Sequence, residues 1–355
     1  MSLNQLALVM WERLGCRGID PSVLSRVLRG ERLFTFEQLE LFTVILKLSD
    51  NEKKQLEGVL YREVGEKFGF TENFFFERES YDLELIKDNI DKIRQVNNSG
   101  MALLAEEWAD HLDEKISREF TGASNLYRNN LFKLRFNLLI EKGHLNFRTK
   151  DKETLLYENL KICNNLNKIA KNIKNYNDGY KINFLKGDSY YVSGKFEQAL
   201  RFLRISSDKV HLDKEGLFSL RTKALSLARL KKEFEFDKLK KDIIKRGMTD
   251  NYFFNYHLYE GISRAETEFG RRVGAFKALE RAKSCLSKTS NIQGDMLVTN
   301  AEIEAGLAFG ENKTYLENIG RKAYNIALRA GHQRYIKKLG NFINTGIYNY
   351  VAQPI

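Results

Sequence analysis

Apolar residues in the first seventy positions recur every three or four residues, which is the spacing of amphipathic helices. Ser2 and Gln5 form a capping box, in which each side chain can satisfy a free backbone amide of the first turn. Asp20 is a favourable N-cap for a helix that starts at Pro21. Two further capping boxes lie at 35–38 and 49–52, and glycines that can end helices lie at Gly15 and Gly30. The pattern predicts a compact bundle of four short helices.

Helical spacing continues over the rest of the chain in longer segments, joined by short connections that contain Gly, Asn or Asp. The predicted segments are 81–97, 101–120, 124–141, 152–175, 178–192, 217–230, 233–246, 255–287, 301–331 and 333–351. We expect 255–287 to hold two helices with about five extra residues between them, and 301–331 to pair with 333–351. Because short connections favour antiparallel neighbours and the chain has only 2 prolines, we predict an all-α fold.

Residues 20–32, DPSVLSRVLRGER, resemble the recognition helix of the Cro/repressor-type (XRE) helix-turn-helix family. The flanking stretches SLNQLA at 2–7 and FEQLELFTVILKL at 36–48 are similar to the second and fourth helices of that family. The resemblance implies a DNA-binding domain over residues 1–70, with a short capped helix that enters a major groove. The implied contacts are to base edges for Ser22, Val23 and Arg26, and to phosphates for Asn4, Gln5, Arg29 and Arg32.

Two features depart from the family pattern. The first helix of the family has no counterpart, because the sequence starts with the residues that resemble the second helix. The stretch from Ala7 to Ser22 is also about seven residues longer than the usual tight turn allows. We therefore expect either a start further upstream or a modified module that binds DNA poorly. A third interpretation is a small helical cap on a larger helical protein.

Residues 182–206, INFLKGDSYYVSGKFEQALRFLRIS, resemble a tetratricopeptide repeat. The matching small and aromatic positions are Gly187, Tyr190, Gly194, Phe196, Ala199 and Leu203. The later segments are degenerate helical pairs of similar length. The resemblance implies that residues 71–355 form a right-handed α-solenoid with a concave surface for an extended ligand, and that this domain dimerises and regulates. Five phenylalanines between positions 68 and 76 predict a hinge that docks the two domains.

In the repeat family the first helix of each pair lines the groove. The positions that this implies for a bound peptide are Lys181, Phe184, Asp188, Tyr191, Asn255 and Leu258. An Asn side chain can satisfy both the NH and the CO of an extended peptide, and a Lys can hold a terminal carboxylate. The alternative is that these side chains simply cover the junctions between repeats.

Charge is unevenly distributed along the 355 residues. The formal net charge is +11, but residues 1–80 hold 11 Lys and Arg against 13 Asp and Glu, a net of −2. Residues 81–355 carry the remaining net of +13. This excess could hold DNA, attract an acidic partner or reflect an AT-rich genome. The prediction of DNA binding therefore depends on the motif at 20–32 rather than on overall basicity.

The sequence offers little support for enzymatic chemistry. The five histidines have no i, i+4 partner or nearby cysteine pair, and the common nucleotide-binding and hydrolase motifs are missing. Acidic residues crowd one helix, and we interpret them as a solvated face, with a metal or phosphate-handling site as the alternative: Glu106, Glu107, Asp110, Asp113 and Glu114. We predict no enzyme activity, no cofactor and no metal. Three scattered cysteines and the lack of an apolar span or signal peptide favour a cytoplasmic protein without membrane contact.

Together, the two resemblances are typical of the peptide-responsive regulators of the Rap/NprR/PlcR/PrgX/Rgg group. They imply a homodimeric transcription regulator that binds double-stranded DNA and senses a short peptide or a protein in its solenoid. The alternative is a helical-repeat adaptor that binds another protein and no specific DNA. A phosphatase-like enzyme, as in some solenoid relatives, ranks third.

Overall fold

The computed structural model describes residues 2–13, 19–31, 34, 36–67, 83–98, 101–120, 124–173, 177–208, 214–245, 252–289, 292–329 and 332–348. All regular structure in these ranges is α-helical. The first four helices are α1 (Leu3–Arg13), α2 (Pro21–Leu28), α3 (Phe36–Ile45) and α4 (Asp50–Lys67). The predicted hinge at 68–76 and the helix stop at Gly15 lie outside the described residues.

Thirteen further helices follow in the described part of the chain. They are α5 (Leu83–Asn98), α6 (Ala102–Glu119), α7 (Asn125–Thr149), α8 (Lys152–Ala170), α9 (Gly179–Val192), α10 (Phe196–Asp208), α11 (Lys214–Arg229), α12 (Glu233–Lys245), α13 (Tyr252–Glu268), α14 (Arg272–Leu286), α15 (Ile292–Ala308), α16 (Lys313–Arg329) and α17 (Gln333–Thr345). The all-α prediction is confirmed.

The helix-start signals act as the sequence predicts. The backbone amide of Ser2 donates to Gln5 Oε1 at 2.8 Å, and the amide of Gln5 donates to Ser2 Oγ at 3.2 Å. Asp20 Oδ1 accepts the amides of Ser22 at 2.7 Å and Val23 at 2.9 Å. The capping box at 49–52 also forms, whereas Thr35 lies outside the described residues. Each cap satisfies amides that a free helix end would leave without partners.

The N-terminal bundle has its own apolar core. Its buried members are Leu6, Ala7, Met10, Ile19, Val23, Leu24 and Phe42, from α1, the start of α2 and α3. A second cluster joins Leu39 of α3 and Leu60 of α4 to the buried faces of α5 and α6. The first helices are therefore packed against the next part of the chain. The predicted domain boundary near residue 70 lies outside the described residues.

The predicted tetratricopeptide-like pair is formed by α9 and α10. A Cβ atom added at Gly187 would lie 2.6 Å from Leu203 Cγ and 3.3 Å from the carbonyl oxygen of Ala199, so the two helices approach closely because residue 187 has no side chain. Gly194 has a φ of +78° in the turn between them. The residue types that carried the repeat resemblance thus perform the packing that it implies.

The same turn recurs through the solenoid. Gly194, Lys231, Gly270 and Gly310 all have positive φ, at intervals of about 39 residues. Each ends the first helix of a pair, so the repeat extends to α11–α12, α13–α14 and α15–α16. Glycine accepts this conformation without strain, and Lys231 adopts it at a φ of +56°.

Several boundaries differ from the prediction. The segment 301–331 is interrupted, because α15 ends at Ala308 and α16 starts at Lys313. The pair is therefore α15–α16, and α17 follows as a final helix. The five extra residues expected within 255–287 belong to α13, which continues to Glu268. Similarly, α7 runs on to Thr149, whereas α8 ends at Ala170. Apolar spacing continues through these boundaries, and only the local turn geometry marks them.

The first helices of the pairs lie side by side. Contacts run from α7 to α9, α9 to α11, α11 to α13 and α13 to α15, while the second helices α8, α10, α12, α14 and α16 pack on their own first helices. The last helix, α17, packs against α16 and also contacts α7. We call the row α7, α9, α11, α13, α15 and α17 the inner wall. The contact between α17 and α7 joins the two ends of this row.

Candidate functional site

Helix α2 presents a polar face to solvent. Ser22, Arg26 and Arg29 are exposed. The Arg29 guanidinium is held by the chain itself: Nε donates to Glu31 Oε1 at 2.7 Å and Nη1 donates to Ser25 Oγ at 2.7 Å. The hydrogen bond from Arg29 lowers the pKa of Glu31. Arg26 and Ser22 are therefore the more available donors on this face, and Arg29 is oriented by its partners.

Val23 does not lie on this face. It is 7% exposed and packs in the core of the N-terminal bundle with Leu24. The apolar Val23 side chain is better stabilised among the other helices than in water, so its expected position at base edges is not what the structure shows. Asn4 and Gln5 are exposed on α1, with the Gln5 amide oxygen engaged by the backbone of Ser2. Arg32 lies outside the described residues.

Most of the predicted peptide-binding positions are buried between helices. Phe184 and Tyr191 belong to one apolar cluster, and Leu258 belongs to another. Asn255 is also buried. For these four side chains the arrangement matches the alternative interpretation, in which they cover the junctions between repeats.

The two charged positions of that set are partly exposed and paired. Lys181 Nζ lies 3.8 Å from an Asp178 carboxylate oxygen and 5.8 Å from the ring centroid of Tyr180. The hydroxyl of Thr222 donates to Asp188 Oδ1 at 2.9 Å, which ties α11 to α9. Both residues stabilise the local structure, and both keep some exposed surface.

A buried network of charges crosses the inner wall. Arg221 Nε donates to Glu260 Oε2 at 2.7 Å, and Arg264 Nε donates to Glu304 Oε2 at 2.7 Å. The Nζ of Lys338 donates to Glu304 Oε1 at 2.7 Å. These bonds join α11, α13, α15 and α17 through side chains that water hardly reaches. A chain of alternating charges therefore links four consecutive members of the wall.

The network shifts the titration of its members. Burial raises the pKa of Glu304, but the charges of Arg264 and Lys338 outweigh it and bring the pKa down to about 2. Burial lowers the pKa of Lys338 to about 8, although Glu304 opposes the change. Sequence reasoning missed this network, because charges on first helices are also typical of solvated faces. The available signal was the i, i+4 spacing of Glu260 and Arg264 around the close-packed Gly261.

The acidic residues of α6 are paired with basic residues of α7. Arg135 Nε donates to Asp113 Oδ1 at 2.8 Å. Lys142 Nζ lies 2.7 Å from Asp110 Oδ1, and Lys150 Nζ lies 2.6 Å from Glu106 Oε1. Within the described ranges, no three His, Cys, Asp or Glu side chains are placed so that they could hold a metal ion. The face is thus a helix–helix contact, while Glu107 and Glu114 are exposed.

Comparisons with known proteins add little to this geometry. No protein-family model matches the chain, and no curated protein matches it. Among solved structures, it is similar to the crystal structure of Bacillus thuringiensis PlcR in complex with the peptide PapR7 and DNA, with a TM-score of 0.38 and 12% identity over 96% of this chain and 97% of that chain. At this TM-score no residue role can be carried from one chain to the other. No helix in the described part of the chain is both long enough and apolar enough to cross a bilayer.

Proposed function

We propose that the protein is a DNA-binding transcription regulator whose solenoid dimerises and senses a peptide or protein ligand. The observation that carries the proposal is the exposed face of α2. Asp20 caps the start of α2 by accepting two backbone amides. Val23 and Leu24 pack in the core of the N-terminal bundle, whereas Ser22 and Arg26 are exposed. A short rigid helix with this division of residues can enter a major groove, where Ser and Arg contact base edges or phosphates.

In this proposal a two-fold symmetric dimer presents two α2 helices to successive major grooves. A ligand on the inner wall binds one arrangement of the solenoid better than another and shifts the population of dimers that fit the operator. The inner wall suits such a role because charged side chains link its helices from α11 to α17. A ligand that competes for one of these charged side chains would break a bond between neighbouring helices of the wall.

The test is an electrophoretic mobility shift assay with the full chain and the DNA that flanks its own gene. We expect specific binding, and we expect Arg26→Ala to weaken it by about 5- to 150-fold, the effect of one lost base or phosphate contact. The matched control is Arg201→Ala, which removes an exposed arginine of α10. If the wild type binds no duplex in preference to random DNA, or if both variants lose affinity equally, the proposal is wrong.

A helical-repeat adaptor is the second candidate. It is favoured by the net charge of −2 over residues 1–80 and by the ion pair that already engages Arg29. An adaptor would bind a partner protein through the solenoid, and the Arg26→Ala change would leave that interaction intact. Co-purification of one stoichiometric partner, together with no specific shift of DNA, would select this candidate.

A further inference from the structure

Two partly buried arginines lie where the end of α7 contacts the start of α17. Arg334 Nε donates to the carbonyl oxygen of Phe147 at 3.1 Å. The next residue, Arg148, donates from Nη1 to the carbonyl oxygen of Asn97 at 2.6 Å and also bonds the Asn97 amide oxygen. Both guanidinium groups are therefore held in place by neutral oxygens.

Neither guanidinium group has a carboxylate partner among the described residues. The acidic side chains that act on them are already engaged, since Glu141 binds Arg94 at 2.8 Å and Asp188 accepts from Thr222. As a result, burial outweighs attraction and lowers the pKa of Arg334, and it lowers the pKa of Arg148 to about 10. Elsewhere on the inner wall, Arg221 and Arg264 each pair with a buried glutamate. The two arginines at this junction are thus an exception to the pattern of the wall.

A third basic group at the junction has an unused nitrogen. His332, the N-cap of α17, is 7% exposed, and its Nδ1 atom has no hydrogen-bond partner among the described residues. Its side chain does not cap the helix either. Burial, followed by the charges of Arg334 and Arg148, lowers the pKa of His332 well below its usual range. A buried polar atom without a partner is costly, and a ligand atom can supply the partner.

Lys152 at the start of α8 is exposed, and the charge of Arg334 acts on it. Its pKa is lowered by burial and by the positive charges of Arg334 and Lys337. Arg334 therefore lies against the backbone beside Arg148, and both act on His332 at the N-terminus of α17, whose dipole also favours negative charge. We call Arg148, Lys152, His332 and Arg334 the basic junction.

We propose that the basic junction is a binding site for a small oxyanion, either a carboxylate or a phosphate group. Such a group offers the planar or tetrahedral oxygens that guanidinium groups recognise, and it supplies the countercharge that the described residues lack. It would also bridge α7 and α8 to α17, across the contact that joins the two ends of the inner wall. The inference rests on the proposed function in one respect: if the solenoid senses a peptide, the oxyanion would be a carboxylate of that peptide.

The test is isothermal titration calorimetry on the full chain at constant ionic strength. The probes are inorganic phosphate, N-acetyl-dialanine with a free carboxylate, and the same dipeptide with an amidated end. We expect at least one oxyanion to bind and the amide not to bind. Arg334→Gln should weaken binding at least tenfold, and the exposed control Arg201→Gln should not change it. The oxyanion should also raise the melting temperature by about 2 °C at ten times its Kd.

A melting experiment without anion keeps the proposal testable when a variant folds poorly. Removing a partly buried charge that has no carboxylate partner among the described residues should leave the melting temperature of Arg334→Gln equal to or above that of the wild type, while the anion-dependent rise disappears. Arg148→Gln is a further variant. If it unfolds because it loses the contact with Asn97, the oxyanion affinities of Arg334→Gln and Lys152→Gln test the inference.

The outcomes separate the two proposals. Binding of the free acid supports a peptide carboxylate, and binding of phosphate alone supports the site with a phosphate ligand. No binding of either probe, or equal binding by wild type and Arg334→Gln, overturns the inference. The DNA mobility shift does not enter this experiment, so a failed operator assay leaves the calorimetric result unaffected.

Discussion

At the scale of single residues, the buried charges of the inner wall affect the stability of the fold more than the exposed charges do. Glu304 accepts from Arg264 and Lys338 in a region where water cannot replace either bond. Removing one member of such a group leaves the others charged and unpaired, which costs far more than losing a surface pair. The stability of this wall therefore depends on Glu304.

We expect Glu304→Gln to lower the free energy of unfolding by about 3–5 kcal/mol, because Lys338 stays buried without a carboxylate partner and Arg264 keeps only Glu260, at 3.4 Å, among the described residues. The control is Glu280→Gln, whose carboxylate is 71% exposed and pairs only with Lys283; this change should cost less than about 0.5 kcal/mol. Urea unfolding of the full chain measures both. Equal midpoints for the two variants would contradict the role given to Glu304.

His332 makes stability depend on pH. Its pKa in the folded chain lies well below 6.5, because burial and the charges of Arg334 and Arg148 disfavour the imidazolium. As the pH falls below 6.5 the unfolded chain gains a proton that the folded chain does not, so stability falls. This loss grows as the pH falls further below 6.5.

His332→Phe should remove that loss and keep the ring contact with Tyr335, which lies 4.5 Å away between centroids. Urea unfolding between pH 5 and 7, in buffers free of phosphate and carboxylate, compares the two slopes. The variant should be less sensitive to pH than the wild type. Parallel slopes would show that His332 is not the group responsible.

At the scale of elements, close approach between paired helices is tied to particular glycines. Gly187 has no room for a methyl group against Leu203 and the backbone of Ala199. Gly58, in α4, has nothing within 4 Å of the position that a Cβ atom would take. The two glycines therefore serve as a matched pair for one substitution.

Gly187→Ala should destabilise the protein by about 1–3 kcal/mol, because the new methyl group forces α9 and α10 apart. Gly58→Ala should instead stabilise it by about 0.5–1 kcal/mol, since alanine is the better helix former and meets no neighbour. Thermal unfolding followed by circular dichroism gives both values. A neutral Gly187→Ala variant would mean that α9 and α10 can separate without cost.

Helix starts and stops show which boundaries can be predicted from neighbouring residues alone. Asp20, Ser2 and Ser49 cap their helices because the acceptor sits two or three residues before the amides that it serves. The break at 309–312 was missed because apolar spacing runs through it, and Gly310 marks it only by its positive φ. Neighbouring residues predicted the caps. They did not distinguish a glycine that ends a helix in a turn, such as Gly310, from a glycine inside a helix.

At the scale of the whole molecule, charge is separated along the chain, with a net of −2 over residues 1–80 and +13 over residues 81–355. The proposed DNA-binding head has few cations to place on phosphates. Its affinity should therefore depend on a small number of named arginines, whereas nonspecific attraction would come from the solenoid.

Salt titration of DNA binding tests this division. Arg26→Gln and Arg29→Gln should each reduce the slope of log affinity against log salt by about 1 for every head that touches DNA. The control is Lys238→Gln with Lys241→Gln, two exposed positions on α12, and it should leave the slope unchanged. A larger effect of the α12 change would place the DNA on the solenoid.

The sequence by itself determined the helical content, the capped helix α2 and the packing of α9 against α10, because caps, proline placement and small-residue spacing act over a few neighbouring residues. Only the tertiary structure decided that Val23 is buried, that α17 meets α7, and that Arg148 and Arg334 come together without a carboxylate partner among the described residues. These contacts join residues that are far apart in the chain. Their geometry depends on how each repeat is rotated against the next, which no local pattern records.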